Sequence, residues 1–268
     1  MSLVKDVFQI NGSSYGGVLD KDGFICGCEF EIESVKTHID HPSIVVVEDH
    51  SLRNSGYEYK TRPSTYEETL ELFDYLHKNL KVGPEPFSHR TSIHVHVNVR
   101  TLPVSTVRQM VLTYALLEPL FFKFVGPERE HNIFCVPLSF TTMPSLYKKD
   151  IKYMHGAWHK YTAFNILPLG LGKNSEQGLG TIEFRHLYGT NKREVFQTWL
   201  LALKQLYDFF NKNRDFDVAE ALETGANAAE LAMDIVPALA AKSTYSEINK
   251  LCQDTVLDVK LSVGGLAK

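Results

Sequence analysis

The 268-residue sequence predicts one α+β domain built on a mostly antiparallel sheet. Three observations carry this. Several short segments alternate polar and apolar residues with period two, among them "GCEFEIE" at 27–33, "TSIHVHVNV" at 91–99 and "GTIEFRHL" at 180–187. Long segments of helical character stand apart from them, at 104–125 and 192–212. No repeat, low-complexity tract or glycine–proline cluster marks a linker, so residues 1–268 read as a single domain. The patterned sheet occupies 24–188 and a helical part 191–268.

Taken in order, residues 1–23 read as an irregular entry with a Gly16-Gly17 turn. A strand follows over 24–33. "SIVVVEDHSL" gives a short buried strand and a turn. "GYEYKTRP" alternates again, with Glu58, Lys60 and Arg62 on one face and Tyr57 and Tyr59 on the other. Ser64, with Glu67 three residues on, has the form of a capping box opening a helix. Leu70, Phe73, Leu76 and Leu80 are its apolar stripe, and Gly83 and Pro84 end it. The strand 91–99 and the helix 104–125 come next. The stretch 126–158 is irregular, with one short helix near 145–154. Strands at 160–168 and 179–187 are joined by "GLGKNSEQGLG", whose four glycines and Lys173 suit either a flexible connection or a flap over a site. Helices follow at 192–212, in alanine-rich segments to about 242, and near 244–258.

Composition excludes several classes. A net charge of −4, a pI near 6.3 and no polybasic run argue against a nucleic-acid partner. The most apolar run, "TVRQMVLTYALLEPLFFKFV", is interrupted by Arg108, Gln109, Glu118 and Lys123, so no membrane span is expected. The N-terminus has no signal-peptide core. Cys26 and Cys28 are strand neighbours in a CxC pattern that suits neither a disulfide nor a zinc knuckle, so all four cysteines read as buried free thiols. A reducing, cytoplasmic location is the expectation.

Sorted by parity, the strands give one apolar face and one charged face. The charged face collects Glu29, Glu31 and Glu33, then Glu58, then His94, His96 and Asn98, then Thr181, Glu183 and Arg185, with Asp49 in a nearby turn. A solvated outer face is the ordinary meaning of alternation. Histidines at i and i+2 followed by asparagine are an odd choice for solubility alone. Two carboxylates about 4 Å apart repel by roughly 4 kcal/mol at an effective dielectric of 20. Clustered acids therefore need counter-charge. Arg185, Lys60 and Arg62 supply some, and Mg²⁺ or Mn²⁺, which favour oxygen ligands with an occasional imidazole, would supply more. Glu33 reads as a third ligand or a solvated acid. His155 and His159, four apart, lack an acid between them and read as ordinary histidines.

"GCEFEIE", "VEDHSLRNSGYEYKTRP", "SIHVHVNV", "KYTAFNILPL" and "GTIEFRHL", in this order, resemble the amidoligase family, relatives of glutamine synthetase and gamma-glutamylcysteine ligase. The resemblance covers roughly residues 24–188. It implies a glutamine-synthetase-like fold, with a curved, mostly antiparallel sheet whose helices pack on the apolar face and whose other face binds ATP and Mg²⁺ (or Mn²⁺). By the same resemblance Glu31, Asp49 and Glu58 surround one metal, and Glu29, His94 and Glu183 the metal nearer the phosphates. His96 and Arg185 contact phosphate. Lys160 and Asn165 match a basic residue and an asparagine of a later strand that serve the nucleotide. Arg129, in "GPEREHN", matches a phosphate-binding arginine. Aspartate at 49 stands where the family has glutamate, which shortens its reach.

The implied activity is ATP-dependent joining of a carboxylate to an amine through an acyl phosphate, with small molecules or peptides as substrates. Arg185, His96, Arg129 and Lys160 would be its catalytic groups. The sequence has no GxxxxGK[ST] and no GxGxxG before a helix, so neither a P-loop nor a Rossmann route to nucleotide is indicated. A metal-dependent hydrolase using His94-x-His96 and the acids, a guanidino-kinase-like phosphotransferase and an inactive binding module remain as alternatives.

Overall fold

The computed structural model describes residues 2–10, 17–141, 150–170 and 178–264, with the backbone alone at 263–264. Gly16, Lys173 and most of the 170–180 loop, and the first half of the helix expected near 145–154, lie outside the described residues. Eight strands are described: β1 (Cys26–Ile32), β2 (Val35–Thr37), β3 (Ile44–Glu48), β4 (Tyr57–Thr61), β5 (Lys81–Val82), β6 (Ser92–Asn98), β7 (Phe164–Asn165) and β8 (Thr181–Tyr188). Six of them form one sheet in the order β3-β4-β1-β6-β8-β7, with every pairing antiparallel. β2 and β5 make a separate two-stranded ribbon.

The helices are α1 (Val4–Val7), α2 (Tyr66–Asn79), α3 (Val104–Val125), α4 (Pro127–Glu130), α5 (Leu138–Thr141), α6 (Ile151–Gly156) and α7 (Arg193–Lys212). After these come α8 (Val218–Glu223), α9 (Ala228–Ile235), α10 (Pro237–Ala240), α11 (Tyr245–Leu251) and α12 (Gln253–Gly264). The protein is thus α+β with a mostly antiparallel sheet. Among the described residues no helix is long and apolar enough to cross a membrane.

The apolar face of the sheet carries the helices, because period two puts Phe30, Val95, Val97, Ile182 and Phe184 on that side and all are buried. Phe30 of β1 packs on Phe73 of α2 and Phe196 of α7, whose two rings stack 4.5 Å apart. Tyr114 of α3 stacks on Phe164 of β7 at 4.4 Å, and Trp199 meets Phe121 edge-on. Cys26 and Cys28 point into this core, and all four cysteines are free and buried.

Glu118, which interrupts the apolar run of α3, is buried with a purpose. It accepts hydrogen bonds from the Tyr114 hydroxyl (2.8 Å), Leu138 N–H (2.6 Å) and Ser139 N–H (3.1 Å). Burial pushes its carboxyl up, against the pull of these donors. The acid thereby pins Leu138 and Ser139, at the start of α5, to α3.

Several element boundaries depart from the sequence reading. The capping box is Thr65 with Glu68, one residue later than Ser64 with Glu67. The Ser64 backbone is taken by an antiparallel bridge to Cys26, so the next hydroxyl becomes the cap. α2 ends at Asn79, and β5 intervenes before Gly83 and Pro84. The strand expected over 160–168 is two residues long. Leu167–Leu169 turns into a 3₁₀ helix, and the Asn165 side chain accepts from Leu167 N–H at its start. Residues 1–23 contain α1 and a 3₁₀ turn at Val18–Asp20.

Candidate active site

The register decides which charged residues meet. β1 sets Glu29 opposite His94 of β6 on one side and opposite Lys60 of β4 on the other. Glu31 lies opposite Glu58, Gly27 opposite His96, and His96 opposite Glu183 of β8. Four strands thus gather four carboxylates and two imidazoles on the polar face, and sequence parity named every one of them.

Glu29 is the hub. One oxygen lies 3.3 Å from His94 Nδ1, and the other is 3.7 Å from His96 Nε2 and 3.2 Å from Lys60 Nζ. Glu183 lies 3.4 Å from His94 Nδ1 and 3.9 Å from His96 Nε2, and it pairs closely with Arg185. The Lys60 ammonium also meets Glu58, at 2.6 Å. Two trios offer ligand atoms within 4.8 Å of one another: Glu29, Glu58 and His94, and Glu29, His96 and Glu183. Both include Glu29.

Electrostatics shows how crowded this face is. Burial pulls the Glu29 carboxyl upward, yet hydrogen bonds from His94 and His96 and their charge hold it well below the usual carboxylate range. Glu183 is likewise lowered, its burial outweighed by Arg185, His96 and His94. Glu58 goes the other way. Burial and the neighbouring Glu29 charge push it up to about 7 despite Lys60. Burial also raises Glu31, with Asp49 adding to the effect. His96 is raised, because Glu29 and Glu183 outweigh its burial. Four clustered carboxylates, Glu29, Glu31, Glu58 and Glu183, are thus met by Lys60, Arg185 and the imidazoles of His94 and His96. His94 adds a geometric sign: it is 3% exposed, and its Nε2 is buried without a hydrogen-bond partner among the described residues. Carboxylate oxygens with an orphaned imidazole nitrogen are a donor set that fits Mg²⁺ or Mn²⁺.

The remaining expected site residues fall in three places. Glu31 is buried, its Oε2 accepts from Ser92 N–H at 2.7 Å, and its Oε1 lies 3.9 Å from His94 Nε2, outside both trios. Asp49 turns one oxygen to Ser51 N–H and belongs to neither trio. Glu58 groups with Glu29 and His94 rather than with Glu31 and Asp49. His94 also stands beside Glu29 and Glu183, at 3.3 and 3.4 Å, and His96 joins the same pair of acids at 3.7 and 3.9 Å.

Asn165 donates to Glu183 Oε2 at 2.8 Å and so orients that acid. Arg185 donates from Nε to the Phe134 carbonyl and lies over the Tyr161 ring. Arg129 is buried, and its guanidinium donates to the carbonyls of His186 and Arg185, both at 2.7 Å, and to the Ser92 hydroxyl at 3.3 Å. That makes it a brace beneath Arg185. Lys160 is exposed in a turn, its ammonium over Tyr161 at 5.3 Å, and not in a strand.

Sequence reasoning did not find the Ser92 N–H on Glu31, the Thr181 hydroxyl on His96 (3.2 Å) or the Phe134 carbonyl on Arg185. None carries a sequence signal, because each works through backbone or an ordinary hydroxyl. Glu33 is not a solvated acid and belongs to neither trio. It is 2% exposed and accepts from Arg53 N–H at 2.9 Å. His159 lies beyond the end of α6, so His155 and His159 form no helical pair.

A recess of about 260 Å³ opens beside the hub, with Gly27, Lys60, His96, Asn98, Thr181 and Leu179 in its wall. A larger groove of about 930 Å³ lies at the start of α2, by Arg62, Thr65 and Tyr75, and includes none of the clustered acids. Of the two, the smaller recess adjoins the clustered acids.

No curated protein matches the chain. A family model described as "putative amidoligase enzyme" matches residues 29–201, which begins at Glu29 and takes in Glu58, His94, His96, Glu183 and Arg185. With well over half of its length in that match, and with the match spanning every residue of both trios, the chain belongs to the amidoligase family.

Proposed function

We propose that this protein is an ATP-dependent carboxylate–amine ligase that activates a carboxylate as an acyl phosphate before an amine attacks it. The observation that carries the proposal is the pair of acid–imidazole trios sharing Glu29, with the buried, unpartnered Nε2 of His94 in one of them. The sheet would take the curved form of the glutamine-synthetase-like fold, and its polar face would hold ATP and Mg²⁺ or Mn²⁺. Held by Glu29, Glu58 and His94, and by Glu29, His96 and Glu183, divalent cations would neutralise phosphate oxygens.

The other roles belong to the protein's own groups. Arg185 is permanently charged, forked, and fixed by the Phe134 carbonyl and Glu183, which suits it to the transferring phosphoryl group. Asn165 keeps Glu183 oriented, and Arg129 keeps the β8 backbone beneath Arg185 in place. The recess at Gly27 has room for a nucleoside. The substrates would be a small-molecule or peptide carboxylate and an amine, with neither nucleic acid nor membrane as partner. Buried thiols suit a cytoplasmic location.

Calorimetry with Mg²⁺ and a nonhydrolysable ATP analogue tests this. A Cβ built on Gly27 meets only the Thr61 carbonyl, at an ordinary 3.5 Å, so Gly27→Ala should fold and narrow the recess. It should weaken the analogue by about tenfold or more, and Arg185→Ala by about as much, given what a charged hydrogen bond contributes. Metal binding without nucleotide should change far less in either variant. Hydroxylamine should trap the acyl phosphate as a hydroxamate when the right carboxylate is supplied. Metal binding with no affinity for the analogue at any metal concentration would favour a hydrolase.

A further inference from the structure

We propose that Lys60 is the tethered counter-ion of the cation site, its ammonium filling the space between Glu29 and Glu58 until a divalent cation displaces it. The proposal rests on the metal reading above and goes beyond it. Lys60 Nζ lies 3.2 Å from Glu29 and 2.6 Å from Glu58, the two acids that complete a ligand trio with His94. These are the distances of direct charge-assisted hydrogen bonds, so the ammonium stands among the oxygens that would bind metal. A Mg²⁺ or Mn²⁺ ion draws its oxygens to about 2.0–2.2 Å and accepts no cation among them. The two occupants exclude each other.

The surroundings give the ammonium somewhere to go. The Lys60 side chain is 41% exposed and forms part of the wall of the recess. Its neighbour across β3 is Val45, which is 54% exposed and carries no charge to hold it. A displaced ammonium thus moves toward solvent and the recess. Burying Glu29 and Glu58 side by side without a cation would be costly, which gives the fold a reason to carry its own. Arg62, two residues on, is exposed and lies in the separate groove by Tyr75, so it makes a control of equal charge.

Mn²⁺ titration followed by electron paramagnetic resonance, without nucleotide, tests the displacement. Lys60→Met should bind Mn²⁺ about tenfold more tightly than the native protein, since no ammonium must first be removed. Lys60→Arg, which restores a cation at the same place, should stay within about threefold of native, as should Arg62→Met, whose charge acts only through screened solvent. Equal or weaker Mn²⁺ binding by Lys60→Met would overturn the proposal. An equal tightening in Arg62→Met would also overturn it, because long-range charge would then explain the effect. If neither native protein nor Lys60→Met bound Mn²⁺, the metal reading would fall and this proposal with it. Equal binding by both would remove this proposal alone.

Discussion

Replacing Glu29 with Gln is expected to abolish Mg²⁺- or Mn²⁺-dependent turnover of ATP and to leave a folded protein. Glu29 is the one residue common to both ligand trios, so the substitution removes a donor oxygen and a full charge from each. The loss of metal affinity should exceed the roughly 10–100-fold that loss of an outer partner costs a metal site. Glu58→Gln touches one trio only and should retain metal at the other. Calorimetric stoichiometry separates the two variants: Glu29→Gln loses both classes of site, Glu58→Gln only one. Circular dichroism should show the sheet intact in each, because the apolar side of β1 is untouched. Full turnover in Glu29→Gln would show that the register-defined hub has no part in the chemistry.

A second large effect concerns stability and pH. His77 of α2 packs its ring against Phe30, Phe73 and Phe87, and its Nε2 is buried without a partner among the described residues. Burial pulls its pKa down to about 4, against a weak opposing pull from Asp74. An unfolded histidine titrates near 6.5. Between those values the unfolded chain takes up a proton that the folded protein refuses. Stability from this residue is therefore complete above about pH 6.5, falls as the pH falls through the window, and levels off below about 4. The gap corresponds to about 3 kcal/mol. His186 is also buried, its pKa pulled well below the ordinary value by burial and by Arg129, and it adds a loss of the same sign that likewise begins as the pH falls below about 6.5. His77→Phe should remove its share of the pH dependence and should not destabilise the protein at pH 7, since no hydrogen bond is lost. Urea unfolding of both proteins at pH 7 and pH 4.5 measures this. Parallel losses in native protein and variant would mean that His77 is protonated in the folded state.

The polar face was legible because its chemistry follows the shortest period a chain can carry. Glu29, Glu58, His94, His96, Glu183 and Arg185 all sit where strand parity puts them. The grouping of those residues was not legible, because it depends on register. Nothing in "GCEFEIE" says that Glu29 lies opposite both His94 and Lys60, or that Glu31 spends an oxygen on Ser92. The β6–β8 ladder also shifts register between Ile93 and Val95, opposite Phe184 and Leu187. This irregularity lets the consecutive His186 and Leu187 both be buried. Strict alternation cannot foresee it.

Arg129 shows a different limit. Its motif suggests phosphate, but tertiary packing spends its donors on backbone carbonyls of β8. The long helices were read almost to the residue, at 104–125 and 192–212 against Val104–Val125 and Arg193–Lys212, because their apolar faces are long enough to outweigh local ambiguity. The strand expected over 160–168 failed because two competing local structures, an Asn165 side-chain turn and a Pro168-containing 3₁₀ helix, cut it short.

A crystal grown with Mn²⁺ and a nonhydrolysable ATP analogue, with the metals located by anomalous scattering, tests the two-cation site of the polar face. Two Mn²⁺ peaks are expected on the polar face. One is bound by Glu29, Glu58 and His94, the other by Glu29, His96 and Glu183. Lys60 should be turned away from Glu58, and the nucleoside should lie in the recess over Gly27. Nucleotide in the groove by Arg62 and Tyr75, or a polar face without Mn²⁺ at saturating metal, would contradict this arrangement.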